Sequence, residues 1–567
     1  MSRLVLYLLI FALGLTDQAA FPQRLIIKFN SDSETWRQVR SLMAGRNELV
    51  FSPAAAKKRG LPLPAFFNRY PFSSIRPLKS DLPAQPLPGG VERLFVAEIP
   101  ESWNLTKTLR RLSADTAIEY AEFDASGYGA GRPARHGNTP SPLLLSSPDL
   151  LPNDPNFALQ WGLLNTGQRI GGSTGKQGAD IQAPAAWDIT TGSPDIILAV
   201  LDSGVPATAA EFAGRRLRGY DYVNNDDDPT DDHGHGSNVA SIAAATGNNG
   251  IAIAGVNWRC RLLPFKVLNK DNWGYYSWWI AALVAAADSG ARVINMSLGG
   301  TDYSRALEDA VTYAMARGAV VVASMMNTND DTRFYPAAFD PVIAVGATNN
   351  HDQRAVPFCW GGGGSNFGNH IDFVAPGEMI LGIHFQQPNL TTYWCGTSQA
   401  APMVSGVISL LLGLKPDLTY AQIYQALQAG ARDQIGPGSE DRPGWDPYFG
   451  WGRIDAFATL KAVVTGISQQ TRLPRPSRFR LFQNYPNPFN PETSIAFELS
   501  RRAHVKLVIY NLAGQEVQVL VDAVKQAGRH QVRWNAAASP RAASGLYFYE
   551  FIVDGRPIVK KKMLLIR

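Results

Sequence analysis

Apolar residues recur along the chain in distinct patterns, and each predicts a different kind of element. Residues 4–15 are an unbroken apolar stretch behind Arg3, closed by small residues up to Ala20. That order predicts a secretory signal over 1–20, removed near Ala20. Over 21–126 the apolar positions alternate and break. RLIIKF and LFVAEIP (94–100) predict strands, and 33–44 and 105–113 predict helices, which together make a small α+β module. The next stretch, 127–155, is rich in Gly, Pro and Ser and reads as a linker that buries little surface; the boundary is set at 127–152.

Over 153–465 the pattern changes to near-continuous apolar runs: IILAVL (196–201), RLLPFKVL (261–268), RVINMS (292–297), AVVVAS (319–324) and VIAVGA (342–347). Helical stretches such as 279–290 and 304–317 separate them. Strands apolar on both faces predict a parallel sheet covered on both sides, a doubly wound α/β domain. Ligands are then expected beyond the carboxyl ends of the strands. A second linker, 466–480, leads to 481–567, where TSIAFEL (493–499), HVKLVIYN (504–511), HQVRWN (530–535) and GLYFYEFIV (545–553) alternate with turn signals. Those strands predict an all-β sandwich of immunoglobulin-like kind.

Length and charge refine this picture. At 567 residues the chain fits several domains, and its 45% apolar and 18% charged residues exclude wholesale disorder. The net charge of +5 hides an uneven distribution, with 18 basic and 13 acidic residues over 1–150, 19 and 29 over 151–465, and 16 and 6 over 466–567. An acidic middle predicts cation sites and no nucleic-acid partner. Beyond the leader no apolar run is read as reaching the roughly 18 residues of a membrane span, so the mature form is expected to have none. Cys260, Cys359 and Cys395 are too few for a disulfide framework. A Cys359–Cys395 bridge and buried structural thiols are both compatible with an exported protein.

Three short stretches carry candidate chemistry. IILAVLDSG puts Asp202 where a buried strand ends, DDHGHGSNVASIAAA puts His235 at the start of a small-residue helix, and CGTSQAAPMVSGVISLLL puts Ser398 in the first turn of a helix apolar on all sides. These stretches resemble the three signatures of the subtilisin-like serine proteases, in that family's Asp, His, Ser order. A serine hydroxyl needs a neutral imidazole to take its proton, so the resemblance implies His235 as base, Asp202 as its orienter and Ser398 as nucleophile. His233 is the competing base. Peptide hydrolysis also needs donors at the developing oxyanion. The resemblance gives this role to Asn327, with the backbone N–H of Ser398; Met326 stands where the family has glycine.

Ser297, Leu298, Gly299 and Gly300 resemble the family's substrate-binding strand, and Ala323, Met325 and Met326 are expected to floor a flexible apolar first pocket. The resemblance further implies structural Ca2+. Asp221, Asn224, Asp226 and Asp228 match a medium-affinity calcium loop, and Asp154, Glu211 and Asn249 a tighter site, with Glu211 where Asp is usual. Residues 21–126 have the order of an inhibitory propeptide, which predicts self-cleavage somewhere in 127–152. The tail, with Asn-Pro-Phe-Asn-Pro, Leu-Ala-Gly-Gln and Lys-Lys-Met-Leu-Leu, resembles the type A sorting domain of type IX secretion substrates. No nucleotide-binding loop, HExxH or CxxC motif is found.

The expectation is a secreted or surface-bound serine endopeptidase. It is expected to be monomeric, to act on protein or peptide substrates, to be held by its own propeptide and to be exported by type IX machinery. The alternatives are a catalytically silent binding protein on the same scaffold, or an esterase, which has no need of a substrate-pairing strand.

Overall fold

The computed structural model describes residues 23–134 except 44–45, 51–64, 71, 80–85 and 101–102, and residues 151–465. It also describes 480–565 except 483, 485–486, 488, 500–502, 513, 526–527, 539–541 and 554–555. The expected signal and most of both linkers lie outside these residues. The chain divides into two compact units, residues 1–465 and 466–567.

The first unit is built on two large sheets, with three small ones of two or three strands beside them among the described residues. Its N-terminal sheet is antiparallel, in the order Leu49–Val50, Ser74–Pro77, Leu94–Ile99, Gln23–Phe29, Ile118–Phe123. Alternation along Gln23–Phe29 divides its side chains between two cores. Leu25, Ile27 and Phe29 pack with Trp36, Val39 and Phe95 beneath the module's own helices. Ile26 instead joins Val96 of the adjacent strand against Leu283 and Ala310 of the neighbouring domain. A strand buried on both faces needs a second body on its outer face, and here two helices of the larger sheet supply it.

Those two helices, Tyr276–Asp288 and Arg305–Ala316, also receive caps from the N-terminal module. The N-cap residue of the first, Tyr275, makes no side-chain cap bond. Asp124 takes the Ser277 N–H at 2.9 Å and its hydroxyl at 2.7 Å. Glu122 accepts the N–H groups of Arg305 (3.1 Å) and Ala306 (3.2 Å) at the second. Carboxylates at helix N-termini satisfy orphan donors and complement the helix dipole. Burial raises the pKa of both carboxyls.

The larger sheet has seven parallel strands in the order Tyr220–Asp221, Arg261–Lys266, Ile197–Asp202, Val293–Met296, Val320–Ser324, Ile343–Thr348, Phe373–Pro376. Leu198 and Val200 face one core, and Ile197, Ala199 and Leu201 face the other. This is the doubly wound α/β architecture expected from the apolar runs. The next two strands in sequence lie on one side of Ile197–Asp202 and the last four on the other, so the crevice at its carboxyl end is the topological switch point. Helix Thr397–Leu414 lies against this sheet, almost wholly buried. It is long and apolar enough to cross a membrane by composition, which corrects the expectation that no such run exists; its burial explains the composition.

The second unit is a β-sandwich. Arg480–Leu481, Glu492–Leu499 and Gly528–Asn535 form one sheet, and Glu516–Lys525, Ala503–Asn511, Gly545–Val553 and Arg556–Leu565 form the other. Ile495, Phe497, Leu507, Ile509, Tyr549 and Phe551 fill the space between them.

Candidate active site

Asp202 ends its strand fully buried, and His235 is the first residue of helix His235–Ala244. Their separation is 2.7 Å, from His235 Nδ1 to Asp202 Oδ1. A carboxylate at Nδ1 fixes the proton there and leaves Nε2 as the free base. Nε2 is buried and has no hydrogen-bond partner. The turn before His235 is held by Asp231, whose carboxylate accepts from Ser203 Oγ (2.8 Å) and from the N–H groups of His233 (2.9 Å), Gly234 (2.8 Å) and Ser237 (2.8 Å). Trp394 meets the His235 ring edge to face at 5.7 Å. His233 stacks near both rings, and its pKa is lowered by burial and then by His235. His235, not His233, makes the hydrogen bond to Asp202.

Ser398 occupies the first turn of helix Thr397–Leu414. Its hydroxyl donates to the Ser297 carbonyl at 2.9 Å, so it is turned away from His235 Nε2. The two residues meet instead around one peptide group of the chain itself. The Ser398 N–H donates to the Ala130 carbonyl at 3.0 Å. On the other side of that bond, a Cβ placed on Gly131 would lie 3.1 Å from His235 Nε2.

Asn327 completes this geometry. Its Oδ1 accepts the Thr397 N–H and hydroxyl, both at 3.0 Å, which leaves Nδ2 as the outward donor. Gly396 adopts φ 138°, and a Cβ there would stand 2.5 Å from the Ala130 oxygen and 2.9 Å from Asn327 Nδ2. Only glycine leaves room for a carbonyl oxygen between the two donors.

Residues 126–133 run through the crevice as two short strands, Ser126–Gly129 and Arg132–Pro133, joined through Ala130 and Gly131. Ser126–Gly129 is the middle strand of three, antiparallel to Trp273–Tyr275 and to Leu298–Gly299. The Ala130 N–H donates to the Ser297 carbonyl (3.0 Å), and Gly129 N–H to the Asn272 carbonyl (3.1 Å). Arg132–Pro133 then pairs with Trp394 and Cys395. The expected linker therefore begins as paired and largely buried strand. Its glycines admit close backbone approach, where composition alone suggested a loose chain.

Gly300 pairs with Tyr335 on its other side. Of the expected pocket floor, only Met326 lies against the crevice segment, in a buried cluster with Ala130 and Phe334. Ala323 and Met325 instead pack into the sheet's core on the face of the two capped helices, because a strand aims alternate side chains to opposite faces.

Asp154 keeps Oδ1 buried without a partner, while Oδ2 accepts the Asn248 N–H at 2.6 Å. Glu211 is fully buried, bonded to Ile253 N–H (3.0 Å) and Asn249 Nδ2 (3.0 Å). Burial pushes its carboxyl up to about 7, with the charge of Asp154 adding to the effect. In the acidic loop, Asp221 spends its oxygens on Val223, Asn224 and the Asn224 amide. Asp226 and Asp228 accept from Asp228 N–H and Thr230 Oγ1. Cys359 and Cys395 are joined by a disulfide, and Cys260 is buried and free.

Two regions of the chain are similar to known proteins. A family model described as the subtilase family matches residues 193–452. Thermitase of Thermoactinomyces vulgaris is 36% identical over 285 residues, which is 50% of this chain and 94% of thermitase. The chain belongs to the subtilase family. A thermophilic serine proteinase of a Bacillus species is 40% identical over 272 residues, 48% of this chain and 63% of that protein, so the chain spans just under two thirds of that relative. A solved structure of proteases from Pseudoalteromonas arctica aligns with a TM-score of 0.47 and 29% identity over 55% of this chain and 99% of that one. A second family model, a secretion system C-terminal sorting domain, matches residues 483–566. This subtilase thus carries an address for type IX export, to the cell surface or beyond.

Sequence reasoning missed the second crevice edge, Trp273–Tyr275, and the strand Thr391–Cys395 beyond the Ser398 side. A glycine between aromatics, Gly274, was the available signal for the first.

Proposed function

We propose that this subtilase is an exported serine endopeptidase, made as a zymogen that cuts its own Ala130–Gly131 bond. The observation that carries the reading is the Ala130 carbonyl, which accepts the Ser398 N–H at 3.0 Å and approaches the same face of Gly396 as Asn327 Nδ2. In the reaction, rotation of the Ser398 hydroxyl from Ser297 brings Oγ to the Ala130 carbonyl carbon, and its proton passes to His235 Nε2. Asp202 holds the Nδ1–H and stabilises the imidazolium that forms. Charge on the carbonyl oxygen is met by the Ser398 N–H and Asn327 Nδ2. Collapse breaks the C–N bond, and His235 returns the proton to the Gly131 amine. Water, deprotonated by the same imidazole, then releases the acyl group from Ser398.

The module over 21–126 acts as folding aid and inhibitor. The mature enzyme is the domain over 153–465 with whatever remains of 131–152, and the tail over 481–567 directs export. Asp154, Glu211 and Asn249 fit a structural Ca2+: buried hard oxygens, one of them orphaned, suit that ion. The acidic loop leaves no carboxylate oxygen orphaned in this way.

A fluorophosphonate probe should label the wild type and not Ser398→Ala. N-terminal sequencing of the processed wild type should begin at Gly131, and Ser398→Ala should stay full length. A Ser398→Ala precursor still shortened at that bond when purified alone would sink the self-processing reading.

A further inference from the structure

Met326 sits in the left-handed region at φ 71°, a conformation that a methionine seldom adopts. Its backbone is fixed there. The neighbouring Met325 N–H bonds the Val345 carbonyl at 3.0 Å, and the Met326 carbonyl accepts the Asn366 N–H at 3.0 Å. The side chain is almost fully buried. A Cβ placed on Gly299 would lie 3.0 Å from its Sδ and 3.1 Å from its Cγ, so the thioether rests directly on the crevice strand. Ser324 Oγ lies 3.7 Å from the same sulfur.

The methyl group of Ala130, the residue whose carbonyl lies at Ser398, packs in the three-residue cluster with Met326 and Phe334. Phe334 in turn stands edge-on to Tyr128, two residues earlier, at 6.4 Å. The alanine methyl therefore already meets Met326 and Phe334, and a longer side chain would have to displace one of them.

We infer that Met326 is a specificity-determining residue that restricts the position before the cut bond to side chains of alanine size. The inference rests on the proposed peptidase reading and adds a substrate class to it. A larger residue must displace a buried thioether whose backbone cannot follow, because both flanking hydrogen bonds hold it. Methionine has three rotatable bonds, so exclusion is graded and not absolute. The Ala130–Gly131 bond is then a self-site matched to the enzyme's own subsite.

The test uses the processed protein and the peptides Ser-Gly-Tyr-Gly-X-Gly-Arg-Pro, with X as Ala, Leu or Phe. Wild type should cut the Ala peptide at least about tenfold more efficiently in kcat/KM than the Phe peptide, the discrimination expected of a few excess carbons in a filled pocket. Met326→Gly, which also relieves the positive φ, should shift that ratio at least about tenfold toward Phe, and Met326→Ala should shift it in the same direction. In the precursor, Ala130→Phe should slow self-processing and Met326→Gly should restore it. Equal cleavage of the Ala and Phe peptides by wild type, or an unchanged ratio in Met326→Gly, overturns the inference while leaving the peptidase reading intact. Failure to cut any peptide together with absence of fluorophosphonate labelling overturns both.

Discussion

The two sides of the Ala130–Gly131 bond are held differently. On the N-terminal side Ser126–Gly129 is paired on both edges, by Trp273–Tyr275 and Leu298–Gly299. It continues into a sheet that caps two helices of the protease domain. On the C-terminal side Arg132–Pro133 pairs along one edge only, with Trp394 and Cys395, followed by one bond from Ala134 N–H to the Tyr393 carbonyl at 2.9 Å. A strand paired on both edges satisfies both rows of its backbone groups, and one paired on a single edge leaves a row to water. If the Ala130–Gly131 bond is cut as proposed, the new N-terminus at Gly131 should leave the crevice before Ser126–Gly129 does. Backbone pairing grips one side, whereas local cross-links shape the other.

The largest effect is expected at the bond between the two sides. Asn327→Ala should lower kcat by about 10² to 10³ with KM little changed, the usual loss for one oxyanion donor. Steady-state kinetics on the Ser-Gly-Tyr-Gly-Ala-Gly-Arg-Pro peptide reads this, and a raised KM with intact kcat would reduce Asn327 to a binding role.

On the C-terminal side, the paired substitution Cys359→Ser with Cys395→Ser removes the tie behind the single edge strand. It should lower stability in urea by about 2–4 kcal/mol, the range for closing a loop of this kind. The rate at which the N-terminal fragment dissociates should not change. Faster dissociation would show that the two grips are coupled.

Glu378 lies beside that disulfide, and burial pushes its carboxyl up to about 8. Between its ordinary value near 4.5 and 8 the folded state holds a proton that the unfolded chain has lost, so stability falls as pH rises through that window. Glu378→Gln lacks this loss. Its Tm advantage over wild type should grow from pH 5 to pH 8.5, and a constant difference would count against a neutral Glu378.

The smallest effect belongs to Arg132. Its guanidinium is exposed and sits 5.9 Å from the Trp360 ring. Replacing the arginine of the octapeptide, the counterpart of Arg132, by alanine should change its cleavage by less than about threefold, because exposed cation–π contacts contribute little. A larger loss would mean that the C-terminal side grips harder than its backbone pairing indicates.

Much of the molecule was legible beforehand because it is written in local sequence. Apolar runs such as 196–201 marked strands buried on both faces, and alternation in 504–511 marked a sandwich strand, since those periods follow from backbone geometry alone. Asp202, His235 and Ser398 were legible from their flanks, each at the end of a strand or the start of a helix. The crevice strand 126–129 was not legible, because Gly-rich sequence reads as loop unless a partner on each side supplies its hydrogen bonds. Ala323 and Met325 were expected in the pocket floor along with the resemblance of 297–300 to a substrate-binding strand, whereas they pack in the core on the helix side of the sheet.

By itself the sequence determined the kinds of elements and the sheet that carries the candidate site, because short-range periodicity decides those, while the reacting groups were proposed from the resemblance of three short stretches to a known family. Only the tertiary structure decided which peptide bond lies between Ser398 and His235, which carboxylates cap the helices of the larger sheet and that Met326 packs in one cluster with Ala130. Each of these is a contact between segments far apart in the chain, and such contacts depend on how the layers pack and not on any local pattern.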